Sequence, residues 1–158
     1  MSDVTGYSRL QIVLHWAIAL GVVFNYIFSD GMERAFDSMM ETQAAPDLQA
    51  FLHIWVGIAI LALVVLRLVV RFGRGAPSAE AGMAGTVARV GHGLLYLLMF
   101  AVPVGGAITW FLSVDATGEL HAIGANALMI LAAGHSLIAL YHQFIRKDGL
   151  LLRMMRPE

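Results

Sequence analysis

Two histidines sit fourteen residues apart near the end of the chain, His121 and His135. On a helix that separation is about 21 Å and close to four full turns, so both rings leave nearly the same face. Two more, His15 and His53, lie in earlier apolar stretches, and His92 and His142 complete the six. An imidazole inside a membrane is expensive and marks a functional site by default. One such histidine is equally well explained by a hydrogen bond between helices. Four at two matched depths are the donor set that two stacked haems, each with histidine on both sides of the iron, would require.

The elements that would hold them are apolar helices. Of the 158 residues, 59% are hydrophobic and only 13% charged, against about 25% charged in ordinary soluble domains. Mean hydropathy is +0.75. Four apolar runs, residues 10–28, 50–72, 90–113 and 120–145, are each long enough to cross a hydrocarbon core of about 30 Å. They lack the alternation of barrel strands, so helices are expected. The expected fold is all-α: an integral-membrane four-helix bundle, one domain over residues 1–158. Pro103 falls inside the third run, where it removes a backbone hydrogen bond and should kink the helix. The N-terminal MSDVTGYSRLQ has no convincing cleavage site, so the first run reads as a retained span.

Charge sets the expected orientation. Of ten Lys and Arg residues, only Arg34 falls in the link between the first two runs. Arg9, Arg67, Arg71, Arg74, Arg89, Arg146, Lys147, Arg153 and Arg156 all belong to the opposite face. The positive-inside rule then puts both termini in the cytoplasm. The outer face carries Asp30, Glu33, Asp37, Glu41, Asp47, Asp115 and Glu119. In the outer link, Met32, Ala35, Phe36, Met39 and Met40 follow the period of an amphipathic helix lying along the membrane surface. Pro46 and Asp47 restart the chain as the second span. The Gly-, Ala- and Pro-rich stretch 73–85 reads as an irregular connector.

With no cysteine in the sequence, disulfides, thiolate metal sites, cysteine-held iron–sulfur clusters and covalent c-type haem are excluded. A near-zero net charge of −1 gives no nucleic-acid footprint.

Topology gives depth. His53 and His121 lie level near the outer ends of spans two and four. His15 and His135 lie level in the cytoplasmic half. Arg67 is fourteen residues after His53, on nearly the same face and at the inner depth. Its guanidinium fits a haem propionate, or it snorkels to the cytoplasmic surface. Ala19, Gly57, Gly124 and Ala139 lie three or four residues from a histidine and would let a flat macrocycle approach, or serve ordinary helix packing. His92 is near the inner depth and could compete with His15 or His135 as a ligand. His142, with Tyr141, could serve a proton-coupled step at the inner site; interfacial contact with headgroups explains either histidine as well. A zinc carrier using the same histidines needs converging ligands, which the separation of about 21 Å between His121 and His135 forbids for that pair.

The stretches YSRLQIVLHW, LHIWVGIAILALVVLRLVVR, GHGLLYLLMFAVPVGG and HSLIALYHQF, with the ending RKDGLLLRMM, resemble the bacterial cytochrome b561 family over nearly the whole chain. The resemblance implies a four-helix bundle of the inner membrane with two haem b groups. It puts His15 and His135 on the inner haem and His53 and His121 on the outer one, and makes His92 a quinone-side candidate. It implies electron transfer between an outer donor and quinone. A membrane-anchor subunit serving a redox partner protein, a dehydrogenase or a hydrogenase, is the alternative. One member of the family oxidises superoxide; the acidic outer face here would repel that anion.

Overall fold

The computed structural model describes residues 6–75, 77 and 82–157. It is all-helical among these residues. The order is α1 (Arg9–Ile27), α2 (Met32–Thr42), α3 (Leu48–Arg74), α4 (Met83–Leu112) and α5 (Ala116–Tyr141). A π-helical turn (His142–Arg146) continues α5, and a short 3-10 turn (Leu151–Met154) follows. Helices α1, α3, α4 and α5 are each long and apolar enough to cross a membrane.

Local chemistry sets the ends. Ser8 and Gln11 form a reciprocal capping box at the start of α1, which satisfies two of the backbone donors a helix start leaves free. Asp47 caps α3 by accepting from the Ala50 amide at 2.8 Å. Gly75 (φ 87°) ends α3 and Gly82 (φ 85°) precedes α4; both adopt the left-handed half of backbone space that glycine tolerates. The expected connector 73–85 is therefore shorter than its composition suggests. Helix reaches Arg74 on one side and begins at Met83 on the other, and residues 76 and 78–81 lie outside those described. The link between α4 and α5 is also short, residues 113–115. The Thr109 and Thr117 hydroxyls share a hydrogen bond of 2.7 Å across it. Helix α4 continues through Pro103.

The helices pack in sequence: α1 on α3, α3 on α4 and α4 on α5. A small core of Ile18, Ile60 and Val64 joins α1 to α3, with Met99 of α4 packed against it. Most other large apolar side chains point outward; Phe72 is 82% exposed and Ile130 74%. Water would not tolerate so much apolar surface, whereas lipid requires it. The amphipathic link forms as expected: Phe36 of α2 is buried, its ring centroid 6.3 Å from that of Trp110 on α4.

Among the long helices, α5 packs closely on α4. It meets α1 and α3 through side chains. Tyr26 donates to the Asn126 carboxamide at 2.7 Å, and two pairs of imidazoles face each other. The backbone of α5 thus stands off from α1 and α3 along the histidine-bearing face.

Candidate functional site

His53 of α3 faces His121 of α5 with ring centroids 6.1 Å apart. His15 of α1 faces His135 of α5 with centroids 6.3 Å apart. The interplanar angles are 75° and 70°. Helix α5 supplies one ring to each pair, one near the α2 end of the bundle and one near the arginine-rich end. His92 of α4 also approaches His135, with centroids 5.1 Å apart.

The rings are held by their surroundings. His121 Nδ1 donates to the Val102 carbonyl at 2.8 Å. A carbonyl only accepts, so the proton is fixed on Nδ1 and the Nε2 lone pair is free. Gly106 makes room for that ring: a Cβ built there would lie 2.9 Å from two of its atoms. His53 Nδ1 is buried and has no hydrogen-bond partner.

Arg67 is buried, so it does not snorkel to the surface. Its Nη1 donates to the Gln11 carbonyl at 2.7 Å and its Nε to the Tyr96 hydroxyl at 3.0 Å. It lies near enough to His15 and His135 to act on both electrostatically. Arg71 sits over the Tyr96 ring, 5.8 Å from its centre. The Gln11 side chain donates to the Gly75 carbonyl at 2.9 Å, tying the start of α1 to the end of α3. Gly57 and Gly124 serve helix packing: Cβ atoms there would meet Asn25 Nδ2 at 3.4 Å and a Val102 methyl at 3.0 Å.

Beyond α5, His142 Nδ1 donates to Asp148 Oδ2 at 2.5 Å. Tyr141 is exposed, its ring centroid 6.0 Å from that of His142. The Trp16 indole donates to the Met154 carbonyl at 2.9 Å, folding the C-terminal turn back on α1.

Residues 6–157 match a family model described as prokaryotic cytochrome b561. The chain belongs to the prokaryotic cytochrome b561 family. It is 45% identical to cytochrome b562 of Cereibacter sphaeroides, over 99% of both chains. It is 29% identical to a probable superoxide oxidase of Yersinia pestis, over 94% of this chain and 95% of that one. It is 28% identical to cytochrome b561 homolog 2 of Escherichia coli, over 94% and 90%. It is therefore a multi-pass bacterial membrane protein of electron transfer, and the family implies haem b.

The cytochrome b561 chain offers donors that fit such a group. With a metal–imidazole bond of about 2 Å on each side and each ring centre about 1.1 Å behind its nitrogen, two imidazoles sharing a metal have centroids about 6.2 Å apart. Both pairs match that separation, and rotation about the shared axis leaves the interplanar angle free. His92, at 5.1 Å from His135, lies further from that separation. Among the described residues, no three His, Cys, Asp or Glu side chains converge as a metal-ion site.

Sequence reasoning did not single out Gln11, Asn25, Tyr96 or Val102. Only the S-x-x-Q capping pattern at Ser8–Gln11 offered a signal for any of them.

Proposed function

We propose that this cytochrome b561 chain carries electrons across the bacterial inner membrane between an outer donor and the quinone pool, using two haem b groups. His53 and His121 hold one and His15 and His135 the other. The observation that carries this reading is the pair of imidazole couples, each with centroids about 6 Å apart, strung along one face of α5. The positive-inside asymmetry supports placing both termini in the cytoplasm and the α2 end outside. The whole chain then acts as one transmembrane domain.

When bound, a haem with an imidazole on each side exchanges single electrons and presents no open coordination position. The protein's residues do the rest. The Val102 carbonyl holds His121 in the tautomer that leaves Nε2 free. Arg67 places a positive charge beside the inner pair, where a propionate is a fitting partner. His92, Tyr141 and His142 lie toward the cytoplasmic end, where a quinone needs hydrogen bonds and protons. Similarity to a probable superoxide oxidase makes superoxide an alternative outer donor, opposed by seven carboxylates on that face. The anchor-subunit reading predicts reduction only when a partner protein is present.

The test is a reduced-minus-oxidised visible spectrum with haem quantified per chain. Two b-type haems are expected, and His53→Ala and His121→Ala should lose the same one. Loss of the inner haem alone in either variant would contradict the pairing. A folded preparation with no haem would end this reading.

A further inference from the structure

The outer pair is supported unequally. His121 Nδ1 has the Val102 carbonyl. His53 Nδ1 is buried with no partner. Oδ1 of Asn25 on α1 is a second buried polar atom in that condition. The Asn25 amide nitrogen is already docked on His53, 3.1 Å from its backbone carbonyl. Asn25, docked on the His53 backbone, thus carries a buried amide oxygen without a donor, and the His53 ring carries a buried nitrogen without a hydrogen bond. Left unpaired, each such buried group is costly. A ring that binds metal through Nε2 carries its proton on Nδ1, and such rings almost always donate it onward. The backbone carbonyls of Asn25 and Phe28 at the end of α1 also face the ring, but neither satisfies Nδ1.

We infer that Asn25 is a positioning residue for His53: its amide oxygen takes the Nδ1 proton of the imidazole while its amide nitrogen stays on the His53 carbonyl. Two bonds to one residue fix both the backbone and the ring, so Nε2 is aimed at the metal. Gly57, one turn further along α3, keeps that corner open, since a Cβ there would already touch Asn25 Nδ2 at 3.4 Å. The inference rests on the proposed role of His53 as an axial ligand. It adds a consequence: one outer ring is oriented by a backbone carbonyl, the other by a side chain that substitution can change.

The experiment is an optical redox titration of both haems in the full-length, haem-loaded protein, comparing wild type with Asn25→Asp and Asn25→Leu, with His53→Ala identifying the outer haem. A carboxylate acceptor makes the imidazole more basic and favours the oxidised metal. The outer-haem potential should therefore fall in Asn25→Asp and rise in Asn25→Leu, with the inner haem unmoved. Loss of the outer haem in Asn25→Leu but not in Asn25→Asp would equally support the inference. A merely structural contact would not shift the two variants in opposite directions. Unchanged outer potentials in both variants, shifts of the same sign, or equal loss of the outer haem from both, would overturn it. Retention of both haems in His53→Ala would instead remove the ligand assignment, and this inference with it.

Discussion

Gly106 and His121 compete for one space: a Cβ on Gly106 would stand 2.9 Å from both Cε1 and Nδ1 of the His121 ring. Contacts that short do not persist, so something must move. The ring is what can move, and moving it breaks the bond to the Val102 carbonyl. Gly106→Ala is therefore expected to cost about 1–3 kcal/mol in overpacking and to remove the outer haem while sparing the inner. Gly105→Ala is the control, because a Cβ there meets His121 Cβ at an ordinary 3.8 Å. Haem per chain, measured for both variants, checks this. Equal haem content in the two would sink it.

Arg67 is a buried charge held by two neutral oxygens, the Gln11 carbonyl and the Tyr96 hydroxyl. Hydrogen bonds to a charged group contribute about 1.5–3 kcal/mol each. Arg67→Met should destabilise the bundle by about 2–4 kcal/mol on that basis and lower the potential of the inner haem by removing a nearby positive charge. Tyr96→Phe removes one bond and should cost about 1 kcal/mol. Thermal unfolding in detergent with a redox titration reads both effects. An inner potential indifferent to Arg67→Met would contradict them.

The helices were legible because lipid leaves apolar length as the main requirement for a span. The α4 start was not: its first turns contain Gly85, Thr86 and Arg89, which interrupt hydropathy without preventing a helix. The histidine faces were legible because fourteen residues nearly close four turns. The partners of those histidines were not. Val102 meets His121 across 19 residues, Asn25 meets His53 across 28 and Gln11 meets Arg67 across 56. Each contact depends on how one helix is rotated against another, and hydropathy is blind to rotation when most of the surface is apolar. The π-helical turn at His142–Arg146 was equally hidden, since its residues also suit an α-helix.

The C-terminal turn should be acid-sensitive. Asp148 accepts from His142 Nδ1 and from the Leu150 amide. The His142 bond, with help from that amide and from Arg146, holds its carboxyl below the usual 3.8. A depressed carboxyl stabilises the folded turn fully above its ordinary value and loses that contribution as pH falls through the lowered one. Amide protection across residues 142–156, taken relative to the intrinsic exchange rate at each pH, should therefore fall below about pH 4. In Asp148→Asn protection should be low already at neutral pH, with no further step in acid. An identical acid profile in wild type and Asp148→Asn would refute this.

His92 and His15 give the sharpest contrast at the inner site. His92 is the nearer to His135, at 5.1 Å against 6.3 Å, so proximity alone would choose it as the ligand. The proposed pairing takes the other, whose separation is the nearer to the roughly 6.2 Å expected of two imidazoles across a metal. The Nδ1 bond from His92 to the Ala88 carbonyl on its own helix, at 2.6 Å, further ties its ring to α4. His15→Phe should therefore lose the inner haem. His92→Phe should keep both haems and slow only the exchange of electrons with quinone. Haem per chain and quinone reduction by the pre-reduced protein, compared in the two variants, decide the matter. Loss of a haem from His92→Phe with none lost from His15→Phe would reverse the assignment and make α4, not α1, the helix that closes the inner site against α5.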